Sequence, residues 1–363
     1  LFSSSRSLIE AGVKQIESKQ SLLDNENFKK LRGTTHNSSA LNCYINFSQL
    51  GRVFTPYLRK DIAELWQSGR IFPSWGELDL RIKSNALMFS GLSTIDSKNN
   101  FLNSVGELKS NRSILLNDIP NSIKTLQRVS LGDEASKYIL QNNDAYINKI
   151  EENCECDPVE TISSWMGNEL FCIEHARTKQ SKQPIKSIVV EINGTENVLG
   201  RLTSLGVQDS IYGTVYDADV YETVDKQFLS LFGKEYKLEG DVFFAEINGY
   251  AVFSSWDGIK RIAYQWNREN KVVQQSKYIG FADQLMSSFS GADYYALATN
   301  LVAKAESFFK KDVYQSIQKY EDVYSKLGGV SWQSGASDNQ LQYHSIAVNV
   351  DQGGNNNSNS LWS

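Results

Sequence analysis

Two stretches decide how this chain is built: LFSSSRSLIEAGVKQIESKQSLL at residues 1–23, and AVFSSWDGIKRIAYQWNRENKVV at residues 251–273. Each takes a Phe-Ser-Ser step into a helix-like run. In the first, Leu8, Ile9, Gly12, Val13 and Ile16 fall on one face at helical spacing over residues 5–19. In the second, Ile259, Ile262, Ala263 and Trp266 do the same. Asp257 is the expected cap of the later helix and one of the serines that of the earlier one.

The likeness continues downstream. Phe28-Lys-Lys-Leu31 corresponds to Phe281-Ala-Asp-Gln-Leu285, and the strand Ala40-Leu-Asn-Cys-Tyr-Ile-Asn46 to Ala292-Asp-Tyr-Tyr-Ala-Leu-Ala298. Both strands lead into helices, through Gln49-Leu50 and Asn300-Leu301, and both copies close with a hairpin. One hairpin runs over residues 78–92 with its turn at Ser84-Asn85. The other runs over residues 330–346 with its turn at Asp338-Asn339. Leu87 aligns with Leu341 and Phe89 with Tyr343. A nearly constant offset over about a hundred residues is the signature of internal duplication.

Between the copies, strands are expected at residues 122–129, 169–174, 185–191, 211–216 and 242–247, and helices near 133–150 and 195–205. Together these predict an α+β fold: a duplicated unit of antiparallel sheet with interleaved helices. Residues 1–115 read as the C-terminal half of repeat unit one and residues 116–350 as a complete unit two. Residues 351–363 read as a polar linker to a further C-terminal domain, because Leu361 and Trp362 follow a Gly- and Asn-rich run that cannot bury itself. Leu1 is not Met, so the natural N-terminus is expected upstream.

The chain has 363 residues, 40% hydrophobic and 22% charged, the composition of a globular protein large enough for two domains. A net charge of −5 with scattered Lys and Arg excludes the basic stripe of a nucleic-acid binder. The longest apolar runs, such as Asp241-Val-Phe-Phe-Ala-Glu246, are strand-sized, so no transmembrane segment is expected.

The Ser-rich step into a helix, the Ser21-Leu-Leu-Asp-Asn-Glu-Asn-Phe28 segment and the strand at residues 40–47 together resemble the core motif of the domain of unknown function 3352 family. Trp165-Met-Gly-Asn-Glu-Leu170 resembles that family's Trp-x-Gly-x-Glu step into a strand. The resemblance covers residues 1–350. It implies a bacterial protein exported from the cytoplasm, periplasmic or associated with the outer membrane. The longer, Bacteroidetes-like members resembled most imply a lipoprotein-like N-terminal anchor and a C-terminal β-rich domain. It carries over no activity and no catalytic residue.

The residues themselves offer few chemical constellations. Cys154-Glu-Cys156 with Cys172 and His175 supplies zinc-type ligands. Cys172 and His175, however, lie three apart in an expected strand and point to opposite faces, so no metal is predicted. In an oxidising compartment Cys154 or Cys156 is the first candidate to bridge Cys172, and Cys43 is expected as a buried free thiol. His36, His175 and His344 lie in no catalytic frame and are expected to serve surface or packing roles. Asp217-Ala-Asp219 with Glu222 lacks the Gly and late Glu of a calcium loop and reads as a solvated loop.

Ser3-Ser4-Ser5 and Gly335-Ala-Ser-Asp-Asn339 make no nucleophile elbow, and Gly328-Gly329 precedes a strand rather than a phosphate-binding helix. Of the aromatic residues, Asp293-Tyr-Tyr295 places two on opposite faces of one strand. No catalytic, cofactor-binding or metal-binding residue is therefore assigned. The expected role is a non-enzymatic extracytoplasmic scaffold or binding protein of the envelope, with an unknown protein or envelope component as partner. The alternatives are an envelope-directed hydrolase using an acidic pair, or a small hydrophobic-ligand binder between the repeats.

Overall fold

A computed structural model describes residues 5–19, 21–35, 39–67, 75–95, 110–112, 123–152, 154, 156–175, 184–194, 197–233, 236–267, 287, 289–336 and 341–350. The fold is α+β, centred on one antiparallel sheet. Its strands are β1 (Leu41–Asn46), β2 (Trp75–Ile82), β3 (Ala86–Thr94), β5 (Ile123–Ser130), β6 (Met166–His175), β7 (Lys186–Ile192), β8 (Val207–Val215), β9 (Ala218–Thr223), β10 (Val242–Ile247), β11 (Tyr250–Ser254), β13 (Ala292–Leu297), β14 (Leu327–Ala336) and β15 (Leu341–Val350). The order across these 13 strands is β1-β2-β3-β15-β14-β13-β5-β6-β7-β11-β10-β9-β8. Two short strands, β4 (Asn111–Arg112) and β12 (Phe289–Ser290), pair separately.

Strand alternation divides the core between the two sheet faces. On one face Leu170, Ile188, Val190, Phe244 and Phe253 pack under the helices Ala135–Glu151, Pro158–Ser163 and Val198–Thr203. On the other, Phe171, Val189, Val252 and Ala245 pack under the helix Trp256–Trp266, which buries Ile259, Ile262, Ala263 and Trp266 as its spacing predicts.

Two segments share the same order of elements. Leu41–Asn46 and Ala292–Leu297 are strands, Phe47–Phe54 and Ala298–Ala305 helices, and Lys60–Gln67 and Lys311–Gln318 helices, each pair at an interval of 251 residues. Each segment then ends in a hairpin, and the two hairpins meet where β3 pairs with β15. Leu58 forms an isolated antiparallel bridge with Phe309, again 251 residues on. Two bonds frame it: Arg59 N–H donates to the Phe308 carbonyl and Lys310 N–H to the Tyr57 carbonyl, both at 2.9 Å.

The sequence alignment needs adjustment in detail. It set Leu41 against Asp293, whereas the element boundaries set Asn42 there. It also set Leu87 against Leu341. By the β3–β15 register Leu87 lies opposite Val348 and Leu341 opposite Thr94, so the two face opposite sides of the sheet. The first helix, Arg6–Glu17, forms where expected, but it leaves Leu8, Val13 and Ile16 exposed at 64%, 42% and 68%. Its aligned counterpart packs on β10, β11, β7 and β8, strands with no described equivalent before residue 5. Ser255, not Asp257, caps the later helix through the Gly258 N–H, and the Ser5 hydroxyl bonds Ser7 instead of capping the earlier one. Phe281-Ala-Asp-Gln-Leu285, the Asp338-Asn339 turn and residues 351–363 lie outside the described residues.

Candidate functional site

One rung of directly opposed residues crosses the whole sheet: Asn42, Asp79, Ser90, Ser345, Gln333, Asp293 and Arg128, then Phe171, Val189, Val252, Ala245, Val220 and Gly213. The first seven positions are polar, and from β6 onward the rung is apolar. Side chains on a shared rung are neighbours, and here Asn42 bonds Asp79 and Arg128 bonds Asp293, while Gln333 pairs with the Ser287 backbone.

Arg128 anchors the polar half. It is 1% exposed, and its Nε donates to Glu169 Oε1 at 2.6 Å. Nη1 donates to Asp293 Oδ2 at 2.6 Å and Ser290 Oγ at 2.9 Å, and Nη2 to the Asn111 carbonyl at 3.0 Å. Burial opposes its charge, but Asp293 and Glu169 outweigh that and hold the guanidinium above its ordinary value. Asn42 Nδ2 donates to Asp79 Oδ1. Glu77, two residues before Asp79 on the same strand face, is pushed up to about 8 by burial, by the Asp79 hydrogen bond and by repulsion from Asp79. Apart from half-buried Asn42 these side chains are buried, and each charged partner of Arg128 faces the guanidinium rather than solvent.

A second cluster lies open at the far sheet edge, on the hairpin of β8 and β9 over the helix Trp256–Trp266. Its turn residues Tyr216 and Asp217 both adopt positive φ, 48° and 67°, as a two-residue primed hairpin turn requires. Asn and Gly favour that conformation; tyrosine does not. Asn267 Nδ2 donates to the Tyr216 carbonyl at 2.9 Å and rivets the turn to the helix end. The Tyr216 and Tyr264 rings lie 5.9 Å apart at 53°. With Thr214, Val215, Lys260 and Arg261 they line a cleft of about 480 Å³. The Lys260 ammonium sits 5.3 Å over the Trp256 ring, and Tyr212 packs edge-on against that ring at 5.6 Å. Gly213 permits this approach: a Cβ there would stand 2.9 Å from the Trp256 ring. Thr214 Oγ1 donates to Asp219 Oδ1 at 3.3 Å.

The residues singled out in the sequence fall elsewhere. Cys172 packs against the same core cluster as Leu170, as do Cys154 and Cys156. His175 points to the opposite face, with its Nε2 on Ser187 Oγ at 3.0 Å. No group of three or more His, Cys, Asp or Glu suited to a metal occurs among the described residues. The expected bridge to Cys172 is not formed: none of the four cysteines is in a disulfide, and Cys154 Sγ meets the Cys156 carbonyl at 3.2 Å instead. Cys43 is exposed rather than buried, because β1 is an edge strand.

His344 and His175 take packing roles. His344 stacks on Trp332 at 6.0 Å and bonds Ser93 Oγ at 2.7 Å. Both rings are held low by burial, to about 4 for His344 and, with Arg261 nearby, about 3 for His175. His36, Ser3 and Ser4 lie outside the described residues. Asp217 belongs to the hairpin turn and Asp219 and Glu222 to β9, so this acidic cluster is a hairpin rather than a loop.

Sequence reading missed Arg128 and the cleft. Arg128 carried one signal, a charge at the same strand parity as Leu126, but Asp293 lies 165 residues away. No family model, curated protein or solved structure matches the chain. No helix among the described residues is long and apolar enough to cross a membrane.

Proposed function

We propose that this chain is a non-enzymatic binding protein or scaffold, working outside the cytoplasm in association with the cell envelope. The observation that carries the binding role is the open cleft at Tyr216, Lys260, Arg261 and Tyr264, which presents aromatic faces beside two cations. It is an open depression of about 480 Å³ rather than an enclosed pocket. A non-Gly residue held at positive φ costs free energy, and such strain collects where function needs it. The envelope location rests on the resemblance of the Ser-rich helix entries, the strand at residues 40–47 and the Trp165–Leu170 step to an exported family.

The architecture belongs to this proposal as well. The element boundaries recurring 251 residues apart, and the Leu58–Phe309 bridge, support descent by duplication, with the two half-units meeting across β3 and β15. The cleft lies at the β8 edge of the sheet, away from the β3–β15 junction.

A hydrolase would need two accessible carboxyl groups flanking a substrate. Glu77 with Asp79 and Glu169 with Asp293 around Arg128 are buried at 2% exposure each, and of the exposed pair at the β8–β9 turn, Asp217 and Asp219, the second is engaged by Thr214. Calorimetric titration of the protein with solubilised envelope polysaccharide and peptidoglycan fragments tests the reading. Saturable binding that Tyr264→Ala weakens, with no release of new reducing ends or amines, is the expected result. Turnover of the fragments, or no binding at all, sinks it.

A further inference from the structure

We infer that the cleft between the β8–β9 turn and the helix Trp256–Trp266 binds acidic saccharides, a pyranose ring lying against Tyr216 and Tyr264 with its carboxylate toward Lys260 and Arg261. This rests on the binding role proposed above and narrows it to a ligand class. The geometry supplies both halves of the recognition. Tyr216 and Tyr264 are 51% and 43% exposed, and their rings, 5.9 Å apart and tilted by 53°, form a shallow apolar trough rather than a closed slot. Tyrosine offers an apolar face with a polar tip, which suits the C–H face and hydroxyl rim of a sugar.

Lys260 and Arg261 line the same trough, and the Lys260 ammonium lies 5.3 Å over the neighbouring Trp256 ring. Charge-assisted hydrogen bonds from such groups favour a carboxylate over a neutral hydroxyl. An acidic peptide would satisfy the cations but has no flat apolar face for the tyrosines, so the saccharide is the better fit. Acidic groups also stand close: Asp217 is in the turn, and Asp219 is engaged by Thr214. They oppose a polyanion of high charge density, and favour one carboxylate per sugar.

The backbone adds an independent mark. Tyr216 occupies a turn position where Asn would relieve the strain of its φ of 48°. Retaining tyrosine there makes sense if its ring serves a ligand. The Tyr216→Asn variant should therefore melt at or above the wild-type temperature while binding more weakly, the pattern of a residue kept for function.

Isothermal titration with an oligogalacturonate hexamer, its fully methyl-esterified counterpart and a hexaglutamate peptide tests the inference on the full chain. The free-acid saccharide is expected to bind, the ester and the peptide at least about tenfold more weakly. Lys260→Gln, Tyr264→Ala and Tyr216→Asn should each lower affinity about tenfold, and added salt should weaken the complex. Equal binding of the ester or the peptide, wild-type affinity in all three variants, or no binding of the hexamer overturns it. If envelope fragments bind at the cleft while the hexamer does not, the ligand class is wrong and the binding role stands. If neither binds, both fall.

Discussion

Arg128 and Asp293 face each other directly across β5 and β13, and the Arg128 Nη1 to Asp293 Oδ2 bond spans 2.6 Å. Because Glu169 takes the other side of the guanidinium, one buried cation ties three neighbouring strands and, through Ser290 and Asn111, the short β4–β12 pair. This is the point at which the cross-sheet rung changes from polar to apolar. Removing the cation alone would leave two carboxylates buried without a counter-charge. We expect Arg128→Met to lower stability by about 3–5 kcal/mol, measured by urea unfolding. The triple variant R128M/E169L/D293L should recover most of that loss. A mild effect of R128M would show that the network adds little.

Stability should depend on pH through three buried groups. Glu77 has an ordinary value near 4.5 and is pushed up to about 8, so the folded chain holds a proton that the unfolded chain releases. Its contribution is full below pH 4.5 and is lost as pH rises through 8. His344 and His175 are held at about 4 and 3 against an ordinary 6.5, so the unfolded chain takes up protons first, and their contribution is lost as pH falls below 6.5. Two histidines outweigh one carboxyl below 6.5 and only Glu77 acts above it, which puts the maximum of these three contributions near pH 6.5. Melting curves should fall from there to pH 8, and Glu77→Gln should flatten that alkaline decline. An unchanged slope in E77Q would show that Glu77 is already ionised.

The thiols should separate by reactivity. Cys43 is exposed on an edge strand, whereas burial and the contact with Cys156 push the Cys154 thiol up to about 11. Reactivity follows the thiolate, so in the native protein at pH 8 Cys43 should be alkylated first and Cys154 slowly. Denaturation should release all four thiols without reductant. Mass spectrometry of the alkylated protein reads both, and a mass deficit from a bridge to Cys172 would contradict the free-thiol state. Zinc analysis of the same sample should find no stoichiometric metal at Cys154, Cys156, Cys172 or His175.

Gly91 lies at the junction of the two hairpins, paired with Leu78 on one side and His344 on the other. A Cβ there would overlap the Glu77 carbonyl oxygen, a backbone atom that cannot swing aside. Gly91→Ala should therefore destabilise by about 1–3 kcal/mol or more, read from chemical denaturation. Gly194→Ala, at a site with open space around its Cβ but a φ of +74°, should cost about 1 kcal/mol through backbone strain alone. Equal and negligible effects would remove the close approach of β2 and β3 as a constraint.

Periodicity alone located the regular elements well. Helical spacing placed Arg6–Glu17, Ala135–Glu151 and Trp256–Trp266, and apolar runs placed β5, β7 and β10 within a residue, because side-chain spacing is a local property of the backbone; β6 begins at Met166, three residues before the expected Glu169. The shared order of strand, helix and hairpin was legible for the same reason. Its register was not: a shift of one residue moves every strand side chain to the other face, and only cross-strand pairing fixes it, as Leu87 and Leu341 show.

What the amino-acid order determined by itself was therefore an α+β chain of antiparallel hairpins and amphipathic helices, with Cys172 and His175 on opposite faces of one strand. Tertiary structure alone decided which helix found a partner, leaving Leu8 and Ile16 exposed while Ile259 and Ile262 are buried. It also decided that Arg128 would meet Asp293, and that Tyr216 would meet Tyr264 beside Lys260. These pairings join groups distant in sequence, whose proximity depends on the strand order of the whole sheet, so no local pattern encodes them.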